Sequence, residues 1–282
     1  MGKISGGIHT LNKKIGPHHV IDFPAERRDL PFVNDINSHK HFMYGLLEVD
    51  VTVARQFIEN HRAQTGELLS FTGYLAFCLA RAVDENKSVQ ACLKGRKKLV
   101  VFDDVDVGLM IEKKIGERYA PMGHVIRGAN RKTYLEIHQE IRSKQSKPVL
   151  PSSGMEKWLS SAMSLPWPLS GLLNALFRAA VRQDPTISAS IIGTVGITSV
   201  GMFAKGHSGW GLTPIFQSLG LVVGGIARKQ TEVEGRIELR DILNVTLVFD
   251  HDVIDGAPAA RFTHRLVELI ESGYGLDETV VH

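Results

Sequence analysis

The stretch Phe249-Asp250-His251-Asp252-Val253-Ile254-Asp255-Gly256 decides the reading of this chain. Upstream, Asn244-Val245-Thr246-Leu247-Val248-Phe249 is rich in β-branched and aromatic residues and alternates in part, as a half-buried strand does. Downstream, within residues 259–270, Phe262, Leu266, Leu269 and Ile270 form a helical stripe. A histidine therefore falls at the end of a strand, with an aspartate and a glycine at the turn into a helix. Held by a strand end, such a histidine is placed to act as a general base, because its position depends little on loop motion. Asp255 is expected to fix a neighbouring loop or arginine. Gly256 is expected to allow a backbone path that a side chain would block. Alone, His-x-x-x-Asp-Gly is a common pattern, more often a surface turn with a solvated histidine.

Its surroundings change that weight. The run His-Asp-Val-Ile-Asp-Gly-Ala-Pro-Ala-Ala-Arg-Phe from His251 resembles the C-terminal motif of the dihydrolipoyl acyltransferases of 2-oxo acid dehydrogenase complexes. Chloramphenicol acetyltransferase carries a related signature on a similar fold. Gly196-Ile197-Thr198-Ser199-Val200-Gly201-Met202-Phe203, then Thr213-Pro214-Ile215, resembles the family's hydroxyl-bearing strand and the threonine-proline loop after it. The run from Leu219 to Gly224-Gly225-Ile226 is similar to the next strand, Tyr44 to Thr52 to the first long one, and Val105 to Ile111 to a central one. The order agrees across residues 26–147 and 190–274.

The resemblance implies an α/β (α+β) chain with a chloramphenicol-acetyltransferase-like two-layer sandwich, a mixed β-sheet and a trimeric assembly. It implies a catalytic domain over 26–274, while residues 1–25, rich in Gly, His and Pro, read as an arm, 150–184 as a helical insertion that departs from the family, and 275–282 as a tail. In the family the equivalent of His251 deprotonates the acceptor directly. The equivalent of Thr198, usually serine, stabilises the oxyanion through its hydroxyl. The equivalent of Asp255 holds the histidine loop through a salt bridge, for which Arg27 and Arg28 are the candidate partners here. Ser199 is the fallback donor, although alternation directs it to the opposite face. Two chains of a homotrimer contribute to each site in the family, so a homotrimer is implied here too.

Two departures bear on the activity. Asp252 stands where the dehydrogenase-complex enzymes usually have arginine, and no lipoylation sequence or lipoyl domain is evident. The acyl group is therefore expected in trans, as an acyl-CoA, with a small-molecule or carrier acceptor. Residues 148–190 differ from the short polar connection of the complex enzymes. The run from Trp158 to Phe177 has no charged residue, but Pro166-Trp167-Pro168 interrupts it and serines dilute it. Two short amphipathic helices, at 155–165 and 169–182, are expected to cap the core or line a channel, not to span a membrane. Two alternatives stay open: a core acting on lipoyl groups supplied by another protein, and a non-catalytic trimeric scaffold.

Composition narrows the field without deciding it. A chain of 282 residues with 43% hydrophobic and 22% charged content has the balance of a globular protein able to bury a substantial core. The net charge of +3 and the absence of a long basic run give no support to nucleic-acid binding. Cys78 and Cys92 are the only cysteines and form no Cys-x-x-Cys pair, which favours a reducing, cytoplasmic setting. His18-His19 and His39-Lys40-His41 lack metal-ligand spacing, so no metal is expected. Gly224-Gly225 lacks phosphate-loop spacing and reads as a strand end, and no Gly-x-Ser-x-Gly elbow points to a hydrolase. Helices are expected at 51–66, 70–86 and 132–146, and short strands near 98–102 and 105–111.

Overall fold

A computed structural model describes residues 40–115, 118–146, 169–199 and 207–277. The arm at 1–25, Arg27, Arg28 and the expected helix at 155–165 lie outside these residues. In chain order the described elements are β1 (Phe42–Asp50), α1 (Thr52–Thr65), α2 (Phe71–Glu85), β2 (Cys92–Lys94), β3 (Lys98–Val100), β4 (Val107–Ile115), β5 (Arg118–Ile126) and α3 (Tyr134–Ser146). They continue with α4 (Leu169–Gln183), α5 (Thr186–Ile192), β6 (Val195–Ser199), β7 (Leu219–Val233), β8 (Arg236–Asp250) and α6 (Gly256–Glu271).

Local chemistry fixes several ends. Gly66 closes α1 in the left-handed region at φ 77°, which a residue without Cβ adopts readily. Ser70 caps α2 by accepting from the Gly73 N–H, as expected from its side chain. Glu234 and Gly235, both at positive φ, make the two-residue turn joining β7 to β8.

Six strands form one mixed sheet in the order β1-β8-β7-β6-β4-β5, with β6 parallel to both neighbours and the other pairs antiparallel. The pairing places residues in rows across the strands, so each row belongs to one face. Met43, Phe249, Leu219 and Val195 form one row, and Leu247, Leu221 and Ile197 lie in another. Both rows pack under helices α1, α2, α3 and α6 in the main core. Helix α2 is the centre of that layer, with Tyr74 through Ala80 buried. The Tyr74 hydroxyl donates to the Leu269 and Ile270 carbonyls at the end of α6, tying two helices together. This is the two-layer mixed-sheet architecture expected.

The second face is built differently. Gly108, Gly196 and Gly220 are aligned across β4, β6 and β7. A Cβ at Gly196 would come within 2.6 Å of Gln217 Oε1, and one at Gly220 within 2.7 Å of Ile215 Cγ2. At Gly108 it would collide with the Ile192 carbonyl. The glycine strip thus lets residues 215–217 lie directly on the sheet, where Gln217 donates to the Ile192 carbonyl at 2.8 Å. Gly224-Gly225 does not end a strand. It sits at a bulge within β7, between Val223 and Ile226, where the 207–209 backbone lies against it and the Gly225 N–H donates to the Gly209 carbonyl.

Candidate active site

His251 follows the last residue of β8 in a tight turn that is anchored through Asp250. The Asp250 N–H donates to the Ser218 carbonyl, and the Asp250 carbonyl accepts from the N–H groups of Val253 and Ile254. The His251 N–H donates to the His41 carbonyl at 2.7 Å. Its side chain is exposed. The expectation of a histidine delivered by a strand end is therefore met by backbone bonds on both sides of it.

Thr198 lies in β6 opposite Val222, which in turn faces Thr246 of β8. Val195 and Ile197 belong to the main core, so alternation puts Thr198 on the second face and Ser199 on the helix-covered one. The register also fixes the distance to the histidine. Five residues separate Thr246 from His251 along β8 and two strand spacings separate β8 from β6, which puts Thr198 and His251 about 20 Å apart in one chain. One subunit does not bring its own pair together.

Asp255 is the N-cap residue of α6, exposed and without a side-chain capping bond. Arg27 and Arg28, its expected partners, lie outside the described residues. Gly256 corrects an expectation: its φ is not in the left-handed region, and a Cβ there would meet nothing within 4 Å. In the chain itself this exposed first position of α6 has no steric need of glycine.

The substitution at Asp252 has its own compensation. His41 Nδ1 lies 2.9 Å from Asp252 Oδ1, so the carboxylate beside the histidine is answered from the entry to β1. One residue earlier, Lys40 Nζ donates to the carbonyls of Phe216 and Gln217 at 2.8 and 3.0 Å and lies 3.6 Å from Asp250 Oδ2. Burial pulls the Lys40 ammonium below its ordinary pKa against the pull of Asp250, and burial likewise pushes the Asp250 carboxyl up. Sequence reading passed over this pair, because nothing local links two residues so distant in the chain.

Lys40, Asp250 and Asp252 line a cavity of about 180 Å³ together with Cys92, Ser218 and Phe216, and His251 is not among its lining residues. The end of α4 and helix α5 form its apolar wall through Val181, Pro185, Ala189 and Ile192. Farther back along α4, Leu169, Leu172 and Leu176 are exposed, the last two 60% and 58%. Cys78 is buried with its thiol pushed up to about 12 by burial, a packing residue in α2. Among the described residues no group of three or more His, Cys, Asp or Glu is arranged to hold a metal ion, and no helix is long and apolar enough to cross a membrane.

Residues 169–276, which include Thr198, His251 and Asp255, match the family model of the 2-oxoacid dehydrogenases acyltransferase (catalytic domain). Among solved structures, the chain is similar to a probable dihydrolipoamide acetyltransferase from Listeria monocytogenes 4b F2365, with TM-score 0.64 and 18% identity over 94% of this chain and 98% of that one. The cubic core of the pyruvate dehydrogenase multienzyme complex gives TM-score 0.65 at 17% identity, over 92% and 94%. A dihydrolipoamide acetyltransferase from Azotobacter vinelandii gives 0.63 at 18%, also over 92% and 94%. In that protein a serine, a histidine and an asparagine were investigated for roles in the catalytic mechanism, the last two four positions apart, as are His251 and Asp255 here. No curated protein matches the chain. At these identities the structural likeness is one of fold. The chain thus shares the fold of these acyltransferase cores, and its residues 169–276 carry the pattern of the family's catalytic domain.

Proposed function

We propose that the protein is a thioester-dependent acyltransferase whose sites form between subunits of a homotrimer, with an acyl-CoA as donor. His251 of one subunit takes the proton from the acceptor as its nucleophilic atom attacks the thioester carbonyl. Thr198 of the next donates its hydroxyl to the oxyanion of the tetrahedral intermediate. Collapse expels the CoA thiolate, which recovers the proton from His251, and no bond to the enzyme forms. Asp255 steadies the histidine turn.

The observation that carries this reading is the separation of Thr198 from His251. Both belong to the family-matched segment, yet about 20 Å lies between them in one chain, which supports a site completed by a second chain. The open parts of the second face support such packing: Tyr44, Leu46 and Met110 are exposed there, an apolar surface of the kind subunits cover. The two free cysteines fit a cytoplasmic setting.

Mixing His251→Ala and Thr198→Val proteins, each inactive alone, tests the shared site. Under subunit exchange, mixed trimers are expected to regain part of the acyl-CoA-dependent activity. Verified mixed trimers without activity would overturn the reading. The likeness to dihydrolipoamide acetyltransferases favours a second reading, in which lipoyl groups on another protein replace acyl-CoA. Thermal stabilisation by acyl-CoA but not by acyl-dihydrolipoamide separates the two, because a ligand that binds the native state raises its stability. Silence from both would favour a non-catalytic scaffold.

A further inference from the structure

Two consecutive residues at the entry to β1 answer the two carboxylates that flank His251: Lys40 meets Asp250, and His41 meets Asp252. The pairs are unequal. His41 and Asp252 are largely exposed, where an ion pair contributes little. The Lys40 and Asp250 side chains are only 23% and 6% exposed. We propose that Lys40 is a positioning residue for His251, fixing the strand end from which the imidazole projects by tying Asp250 to the 216–217 backbone.

The tie is geometric. Besides the His251 N–H bond to the His41 carbonyl, the backbone bonds of the turn run through Asp250, to Ser218, Val253 and Ile254, and Asp250 Oδ1 also accepts from the Asp252 N–H. Lys40 connects that residue to the adjoining loop through two carbonyls. Packing does not do the same work from this side, because Lys40 and Asp250 line the cavity behind the turn. Nor is stability a sufficient reason for the pair. Burial disfavours the charged form of both partners, and buried ion pairs of this kind are often replaced by neutral groups without loss of stability. What neutral groups do not supply is the fixed geometry.

The electrostatic consequence falls on the same residue. The charged and titratable groups around the turn are Asp250, Asp252, Asp255, His41, Lys40 and, across the cavity, Cys92. Removing Lys40 leaves Asp250 either to take up a proton or to set an unbalanced charge one residue from the imidazole. Either change moves the environment of His251.

The proposal rests on His251 acting as the base, and its test is chosen to separate the two. The variants are Lys40→Met and the neutral pair Lys40→Met/Asp250→Asn, studied as assembled protein. The double variant is expected to melt close to the native protein. Its kcat with an acyl-CoA donor should fall by about 10- to 100-fold with KM little changed, as for a slightly misplaced group. The His251 imidazole resonance, followed by NMR at fixed pH, should move or split into more than one environment. An unaltered His251 resonance in a folded double variant overturns the proposal, as does a kcat loss that only tracks a loss of melting temperature in both variants. If the resonance moves while the native protein shows no transferase activity, the positioning role stands and the acyltransferase reading falls.

Discussion

The helix-covered face of the sheet and the face beneath residues 207–218 come from the same strands, one residue out of step. On the first, Leu219, Leu221, Val245, Leu247 and Phe249 bury against α2 and α6. On the second, the intervening positions are Gly196, Thr198, Gly220, Thr246, Val248 and Asp250, with only a small apolar cluster at Ile215, Val222, Val248 and Phe42. Thr246 Oγ1 and both amide atoms of Asn244 are buried there without a bonded partner among the described residues. The first face supplies stability through apolar burial. The second supplies close backbone approach, hydroxyls and charge. Alternation lets one strand do both, and it separates the two kinds of mutational damage.

The largest effect is expected at the turn that follows Asp250 of the second face. Replacing His251 by alanine should lower turnover by about 10²–10⁴-fold, the usual contribution of a general base, while the melting temperature holds because the side chain is exposed. Rate assays beside calorimetry check this, and normal turnover in the folded variant would break the comparison. On the first face the pattern should invert. Phe262, which stacks edge-on against Phe249 at 6.0 Å, should cost about 3–5 kcal/mol of stability on replacement by alanine, read by denaturant unfolding. Any protein that remains folded should keep its turnover.

Thr198 and Ser199 sharpen the contrast within one strand. Thr198→Val should reduce turnover by about 10²–10³-fold, with Thr198→Ser tolerated. Ser199→Ala, on the other face, should leave the rate nearly intact, and the reverse result would mean that the faces are wrongly assigned. Gly196→Ala tests the strip itself. Its methyl would meet Gln217 Oε1, and the displacement of the 215–217 loop should cost about 1–3 kcal/mol. The smallest effect belongs to Glu140 of α3, which pairs with Lys132 and His124. Burial raises its pKa, but the hydrogen bonds from Lys132 and His124 outweigh that, so the carboxyl is held below its ordinary value. Its contribution is thus present above about pH 4.3 and lost as pH falls through the depressed value. Glu140→Gln should remove that acid-limb loss, under about 1 kcal/mol, in unfolding curves between neutral and acidic pH.

Much of the fold was legible. The α1 and α2 ends followed from Gly66 and Ser70, and α3 from its apolar period. Strand β5 was not foreseen, because Pro121 and Gly123 weaken its pattern; at the edge of the sheet a strand tolerates proline. The stretch read as departing from the family, 148–190, is matched by the family model from Leu169 onward. In the candidate site, His251 was named from local pattern and Thr198 and the role of Asp255 from the resemblance, while the face of Thr198 relative to Ser199 was set by alternation alone.

The sequence by itself determined what depends on neighbours in the chain: helix caps, strand alternation, the strand-to-helix turn that carries His251, and the order of the motifs that resemble those of the acyltransferases. Only the tertiary structure decided what depends on register between distant strands. It placed three glycines in one strip beneath Gln217 and Ile215, and set Lys40 against Asp250 behind the turn. It also put Thr198 five residues and two strands away from His251. Local preferences act over a few residues, whereas a row across a sheet is fixed by which strands pair and where each pairing starts.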